Sequence, residues 1–189
     1  MRPLGSMLIV ALGLLAAGCT AQMGMPQASL STIEKVRSPD IAVMRVGNFV
    51  PVPALAGAKD KSMSLRADSL TSPVDDSFAK YLGRTIEVNL KAAGKYDANS
   101  PLVLDGILTE SDVRTPFGTS SGELGAKFTL VKSGSTVFEK HIEVTDQWES
   151  SVIAAIAVPD SINHYTALFD KLTAELFTDK DFVTALKTK

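Results

Sequence analysis

Residues 123–148, ELGAKFTLVKSGSTVFEKHIEVTDQW, decide the fold that this sequence predicts. Apolar and polar residues alternate through both halves, and the segment 132–135 between the halves is typical of a tight turn. The apolar side comprises Leu124, Ala126, Phe128, Leu130, Phe138, Ile142, Val144 and Trp148. One apolar and one polar face is the pattern of antiparallel strands that are covered on one side only. The stretch therefore predicts two paired strands in a sheet that has its helices on a single face.

A third strand is expected at 102–113, and the clearest helical pattern of the chain precedes it at 75–93. Phe78, Leu82, Ile86 and Leu90 recur at the spacing of one helix face. Asp75 and Asp76 lie at the expected N-terminus, where the helix dipole favours negative charge, and Gly94 is typical of a helix end. This helix is expected to cover the apolar face of the sheet.

The remaining elements complete a single domain over residues 39–189. Strands are expected at 41–47 and 62–70, a helix from Asp160 onward, and a short last helix near Thr178. The order β-β-α-β-β-β-α predicts an α+β fold, a two-layer sandwich whose mostly antiparallel sheet carries two main helices on one face.

The first 18 residues have the parts of a signal peptide that ends at Cys19. Arg2 supplies the positive charge, 7–17 is an apolar run, and small residues precede the cysteine. The segment resembles the bacterial lipobox, in which diacylglycerol is attached to the cysteine thiol. The expected organisation is a signal peptide at 1–18, a lipidated flexible tether at 19–38, and then the domain.

Two other interpretations of the N-terminus are weaker. A membrane-spanning helix needs roughly 20 apolar residues, and the run 7–17 is much shorter. An ordinary secretory signal with a chance cysteine stays possible, but Cys19 is the one cysteine of the sequence and has no disulfide partner within the chain. An Asp after the lipidated cysteine marks retention in the inner membrane of enteric bacteria. Thr20 occupies that position here, which favours the outer membrane, with the domain facing the periplasm.

Charge and composition exclude several classes of partner. The chain has 19 Lys and Arg against 21 Asp and Glu, a net charge of −2, with both signs interspersed. Such a sequence has no cluster of Lys and Arg of the kind that binds nucleic acid or anionic lipid. Binding to nucleic acid is not expected, and the sequence indicates no cofactor.

Assembled in this order, the chain resembles the YajG-like uncharacterised bacterial lipoproteins. The matching features are Cys19 with its tether, the first strand from Ile41, residues 65–67, the helix end at 90–96, the three-strand meander and the C-terminal segment 176–182. More distantly, it is similar to the periplasmic domains of the curli-secretion and Pel-secretion lipoproteins. The resemblance implies a cell-envelope protein with no assigned activity, and it supplies no catalytic residues.

One enzyme motif is present but lies in the wrong context. Residues 118–122, GTSSG, match the G-x-S-x-G pattern of the hydrolase nucleophile elbow, and Asp146 and His164 follow in the appropriate order. The elbow requires a strand-to-helix turn, whereas this motif joins two expected strands. We therefore predict no catalytic residues and no enzyme activity. His141 and His164 have no spacing typical of a zinc set, so no metal site is expected either.

The segment 152–158, VIAAIAV, is unusually apolar for a connection between a strand and a helix. The favoured interpretation is that it is buried in the core. The alternative is an exposed surface for a partner, for another copy or for the membrane interface. On that alternative the candidate interface residues are Val152, Ile153, Ile156 and Val158.

The predicted function follows from the anchor and from the weakness of the catalytic signals. We expect a non-enzymatic, lipid-anchored envelope protein that contacts the membrane through its lipid. The domain is expected to act as a structural or assembly component by binding another envelope protein or a second copy. The alternative is an auxiliary subunit that holds an apolar or lipid ligand for a transport system, with the apolar helix faces lining the cavity.

Overall fold

A computed structural model describes residues 20–66 and 68–187 and has the predicted α+β architecture. The main sheet contains four strands in the order β2-β5-β6-β7. These strands are β2 Arg45–Pro51, β5 Leu102–Arg114, β6 Gly118–Lys132 and β7 Ser135–Ser150. β5, β6 and β7 pair antiparallel, and β2 pairs in parallel with β5. The meander expected from the alternating pattern is therefore the centre of the fold.

The hairpin between β6 and β7 has the turn that its sequence predicts. Lys132 pairs with Ser135, so Ser133 and Gly134 form a two-residue loop. Both have positive φ angles, 48° and 86°, which is the geometry of a type I′ turn. On the side that faces the helices, Leu124, Phe128 and Leu130 are fully buried. The turn and the alternation set the same register.

The two main helices pack side by side on one face of the main sheet, as predicted. Helix α3, Phe78–Ala92, lies against β2 and β5, and helix α4, Ala154–Thr178, lies against β6 and β7. Aromatic rings fill the space between the helices: Tyr81 lies 4.7 Å from Phe169, and Phe78 lies 5.6 Å from Tyr165, between ring centroids. Edge-to-face pairs of this kind stabilise the layer beyond their buried area.

Helix α3 begins later than the predicted Asp75. Asp75 and Asp76 have positive φ angles of 49° and 50°, which exclude them from the helix. Ser77 is instead the N-cap, and its hydroxyl accepts a 3.1 Å hydrogen bond from the Lys80 amide. Asp75 forms a 2.9 Å ion pair with Lys80 across this first turn. The charges lie just before the helix rather than in it.

Helix α4 begins at Ala154, six residues before the predicted Asp160, and therefore contains Pro159. Pro159 is the sixth residue of the helix and removes one intrahelical hydrogen bond, the one that an amide there would donate to the Ala155 carbonyl. The turn before it is closed by the amides of Ile156 and Ala157, which donate to the Ile153 carbonyl at 3.0 Å. After Thr178 a short helix α5, Lys180–Lys187, follows. Its first amides are capped by Asp179, whose carboxylate accepts from the amides of Asp181 and Phe182 at 3.0 Å.

A second, small sheet replaces the single strand expected at 62–70. β3 Ser62–Leu65 and β4 Asp68–Thr71 form a hairpin, and β1 Thr20–Gln22 pairs in parallel with β4. Arg66 begins the turn of this hairpin with φ 57°, a conformation rare for a residue with a side chain. A one-turn helix α2, Ala58–Lys61, precedes the hairpin.

The flexible tether predicted over 19–38 is wrong for residues 20–36, which belong to the domain. Besides β1, this segment forms helix α1, Leu30–Val36, and it buries Met23, Ile33 and Val36. Two hydrogen bonds of 3.0 Å hold it to α3, from the Tyr81 hydroxyl to the Gly24 carbonyl and from the Ser29 amide to Asn89 Oδ1. The segment crosses the surface of α3 toward the end of that helix.

Strand β2 lies four residues beyond the predicted start at Ile41. Ile41 and Met44 are buried ahead of it, and Met44 forms an isolated bridge with Tyr96. Pro51 closes the strand instead of lying beyond it. This position is tolerated because β2 is an edge strand and Pro51 needs no ladder partner for an amide.

Candidate interaction surface at one end of the main sheet

Four large apolar side chains are exposed together at one end of the main sheet. Phe117 is 78% exposed, Val152 72%, and Ile153 and Ile156 are each 56% exposed. We call these four residues the apolar patch. Single exposed apolar residues are ordinary on protein surfaces, whereas a contiguous group indicates an interaction surface.

Three elements bring the apolar patch together. Phe117 ends the turn between β5 and β6, and Val152 follows the last residue of β7 by two positions. Gly118 pairs with Ser150 across β6 and β7, so the turn and the end of β7 are neighbours. Ile153 is the N-cap residue of α4 and Ile156 lies in its first turn. The patch thus joins residues that are 35 or more positions apart in the chain.

Arg66, in the turn of the β3–β4 hairpin, contacts both Phe117 and the backbone of Val152. Its guanidinium donates to the Ser151 carbonyl at 2.7 Å, to the Ser150 hydroxyl at 3.1 Å and to the Val152 carbonyl at 3.4 Å. The same group lies 5.4 Å from the centroid of the Phe117 ring, in cation–π geometry. One side chain therefore supplies donors to the backbone at the end of β7 and a cation to Phe117.

The interpretation of 152–158 as a core segment is wrong for its first part. Val152, Ile153 and Ile156 are exposed, while Ala157 and Val158 are buried against the sheet. Val158 accordingly does not belong to a surface, and the predicted interface set loses that residue. The reason is the helical turn: α4 begins at Ala154 and directs one side of its first turn to the core and the other to solvent.

Matched truncations at two neighbouring positions test this division. Val158→Ala is expected to lower the melting temperature by several degrees, because a buried valine loses about 1–2 kcal/mol of packing. Ile156→Ala removes a larger but exposed side chain and is expected to leave the melting temperature within about 1 °C. Thermal unfolding followed by circular dichroism measures both. A larger drop for Ile156→Ala than for Val158→Ala would contradict the assignment.

The hydrolase motif does not form a nucleophile elbow. Ser120 lies within β6, paired with Trp148, and is fully buried. Its hydroxyl has no hydrogen-bond partner among the described residues. His164 Nδ1 contacts Asp146 Oδ2 at 2.7 Å, but the imidazole stacks on Trp148 and its Nε2 points to Asp160 at 3.8 Å. The histidine and the carboxylate pair as a triad would, yet the serine is neither activated nor accessible.

A polar cluster that the sequence analysis missed lies on the open face of the sheet. Glu110, Gly125 and Glu143 are paired in one row across β5, β6 and β7. Because Gly125 has no side chain, Glu110 reaches across it, and its Oε2 lies 2.8 Å from His141 Nε2. Donor atoms of Glu110, His141 and Glu143 fall within 4.8 Å of one another. All three side chains are partly or well exposed, which fits a hydrogen-bonded polar cluster on a solvated face.

The apolar faces of the main helices do not line a ligand cavity. Leu82, Ile86 and Phe169 are fully buried against the sheet or the neighbouring helix. A small cleft of about 240 Å³ does lie between α3, α4 and residues 24–27. Its lining includes Tyr81 and Asp170. Burial raises the pKa of the Asp170 carboxyl, and it raises the pKa of the Tyr81 hydroxyl to about 12. The helix faces that the carrier alternative assigns to a ligand cavity are therefore packed against other side chains of the core.

The predicted lipid attachment site, Cys19, and the signal peptide 1–18 lie outside the described residues. The chain enters the described structure at Thr20, the first residue of β1. Across 20–66 and 68–187, no helix has the length and apolar character needed to cross a membrane.

Comparisons with known proteins identify a fold and no activity. No family model matches the chain, and no curated protein matches it. A solved structure of a DUF330-family protein from Xanthomonas campestris is similar with a TM-score of 0.55 and 11% identity, over 84% of this chain and 91% of its own. A protein from Caulobacter crescentus described as a lipoprotein aligns at 15% identity and a TM-score of 0.46, over 58% of this chain and 83% of its own. A minor lipoprotein from Acinetobacter baumannii aligns at 13% identity and a TM-score of 0.40, over 70% and 87% of the two chains.

The first of these structures shows that the α+β arrangement described above is shared with a bacterial protein. At 11% identity the likeness extends to the fold and not to function. The resemblance to the YajG-like lipoproteins stays a prediction from the sequence.

Proposed function

We propose that this protein is a non-enzymatic lipoprotein of the bacterial envelope. In this proposal acyl chains on Cys19 anchor it to the outer membrane, and the α+β domain faces the periplasm. The domain acts as a structural or assembly component that binds another envelope component at its surface. The observation that carries the contact role is the apolar patch, an exposed group of four large side chains at one end of the main sheet, which is open to another component of the envelope, the bilayer included.

The anchor part of the proposal is supported by the sequence before Thr20. The signal ends on small residues and the single cysteine of the chain, and Thr20 occupies the position after it. The domain that follows begins almost at once, because β1 starts at Thr20. An acylated Cys19 would therefore hold the folded domain close to the bilayer instead of at the end of a long linker.

The non-enzymatic part is supported by the environment of the candidate nucleophile. Ser120 is buried within a strand and has no hydrogen bond with His164. The polar groups that do cluster, Glu110 with His141 and Asp146 with His164, are explained as hydrogen-bonded side-chain pairs at the protein surface. The serine of the hydrolase motif therefore has no adjacent base.

Labelling and fractionation of the unaltered chain test the proposal. The protein is expected to incorporate radioactive palmitate and, after density separation of the envelope, to be recovered with the outer-membrane fraction. Recovery in the soluble periplasmic fraction without label would contradict the anchor. Recovery with label in the inner-membrane fraction would retain the anchor and overturn its location.

A further inference from the structure

The apolar patch lies at the end of the molecule where the chain enters from Cys19. β1 pairs in parallel with β4, with Thr20 opposite Ser69. Parallel strands begin at the same end, so the chain enters β1 beside the start of β4, next to the hairpin turn that contains Arg66. Consecutive Cα atoms are ~3.8 Å apart, and therefore a lipid on Cys19 is attached within one residue of this end.

Arg66 connects this entry point to the apolar patch. It is the first residue of the turn between β3 and β4. Its guanidinium donates to the carbonyls of Ser151 and Val152 and lies over the ring of Phe117. Arg66 lies three positions before Ser69, the residue paired with Thr20, so the entry of the chain and the patch both adjoin this one hairpin turn. The predicted anchor and the exposed apolar side chains share one end of the domain.

We infer that the apolar patch is a membrane-docking surface, which seats in the headgroup–acyl boundary of the same bilayer that the acyl chains of Cys19 enter. This inference rests on the proposed anchor. Phe117, Val152, Ile153 and Ile156 enter the boundary, and the domain is held at a defined orientation instead of swinging about its N-terminus. Apolar side chains with a short lipid anchor are a combination that gives stable attachment.

The size of the patch favours a bilayer over a protein. A stable protein interface takes roughly 20–30 residues on each side, apolar centre and polar rim together, and the four apolar residues of the patch would form only a small part of one. A bilayer contact beside an existing anchor needs far less area, since the anchor makes the second contact intramolecular. We expect the docking to use burial of apolar surface and not cationic contacts with lipid headgroups. The nearby Arg114 is paired with Asp112 at 2.8 Å, and Arg66 donates to carbonyl groups.

Arg66 also makes the docking compatible with an apolar environment. The carbonyls of Ser151 and Val152 lie beyond the last ladder pair of β7, where a lipid boundary offers few donors. The guanidinium donates to both and lies over the Phe117 ring. The carbonyls of Ser151 and Val152 thereby have a hydrogen-bond donor within the protein.

Site-specific photo-crosslinking in the full-length acylated protein tests the inference. A diazirine-bearing amino acid is placed at position 152, and cells grown with radioactive phosphate to label their phospholipids are irradiated. The membrane fraction is then separated by gel electrophoresis. We expect a phospholipid adduct of monomer size, about tenfold stronger than from a matched probe at position 30. Leu30 is 80% exposed and follows Ser29, whose amide is bound to Asn89 in the last turn of α3, away from the patch.

A variant with an intact fold checks that the patch causes the labelling. Ile153→Ser combined with Ile156→Ser is expected not to lower the melting temperature, since a serine at the N-cap position of α4 adds a capping hydroxyl, and to reduce the lipid adduct at position 152 severalfold. Leu30→Ser is the matched control and should leave that adduct unchanged. Because the changed side chains are exposed, a lost fold does not explain a lost adduct.

Each other outcome overturns the inference in a recognisable way. An adduct with a different protein would make the patch a protein interface, and an adduct of twice the monomer mass would make it a contact between copies. Equal lipid labelling at positions 30 and 152, or none at 152, would remove the docking role while leaving the anchor in place. Absence of the protein from the membrane fraction would instead refute the anchor, and the inference with it.

Discussion

Cys19→Ser is expected to move the protein from the membrane fraction almost entirely into the soluble periplasmic fraction. Serine has no thiol to accept diacylglycerol, so neither lipidation nor the cleavage that depends on it can occur. In the described residues no helix can span the bilayer, which leaves the apolar patch as a weak contact. A single weak membrane contact gives reversible binding only. Retention of the signal peptide as an uncleaved span is opposed by its short apolar run.

Membrane sedimentation before and after a salt wash, with palmitate labelling in parallel, measures this effect. Thr20→Ser is the matched control one residue away, and it should be labelled and sediment like the unaltered protein. The anchor hypothesis is wrong if the Cys19→Ser protein remains in the washed pellet to the same extent as the control.

Gly106→Val is expected to lower the melting temperature more than any other single change we discuss. The ring of Phe49 fills the space between Gly106 on β5 and Gly83 on α3. A Cβ at Gly106 would lie 2.3 Å from Phe49 Cε1, and one at Gly83 would lie 2.9 Å from the same ring. Phe49 is 6% exposed and packs edge-on against Phe128 at 6.4 Å, so it cannot move aside freely. These two glycines let helix α3 and the sheet enclose one aromatic ring.

The expected cost of overpacking this space is about 3 kcal/mol of unfolding free energy, or about 6–12 °C in melting temperature. Thermal unfolding by circular dichroism measures it. Gly24→Ala is the control, because no atom lies within 4 Å of the added Cβ, and it should melt within about 1 °C of the unaltered protein. Adding Phe49→Ala to Gly106→Val should cost less than the sum of the single changes. A Gly106→Val protein that melts like the control would contradict the packing described here.

The elements that local pattern could predict are those whose period is strong and whose turns are chemically specific. β6 and β7 alternate over many residues and are joined by Ser133–Gly134, and α3 has a continuous apolar side. In these elements the residue spacing, the turn and the burial all agree. Their ends were less predictable, since Ser77 rather than Asp75 caps α3 and only the backbone conformation reveals it.

The elements that sequence reasoning missed are short and depend on distant partners. Residues 20–22 become a strand only because β4 offers an edge, and residues 23–29 are held by Tyr81 and Asn89 on α3. The polar and small residues of this segment resemble a linker when read alone. The hairpin at 62–71 was missed for a similar reason: Arg66 occupies a positive-φ position that the sequence does not mark with glycine.

Local pattern was sufficient to predict the α+β class, the layer order, the meander and the long helix, because periodicity and turn chemistry act within the length of one element. It also supplied the prediction of a lipid anchor at Cys19, which rests on a linear signal. The packing of distant segments was needed to show which residues of 152–158 are buried and that Phe117, Val152 and Arg66 meet beside the entry of the chain. The physical reason is that exposure is a property of neighbours. An apolar run has the same local pattern whether a sheet covers it or not, and the strand pairings that bring distant segments together leave no trace in the spacing of either one.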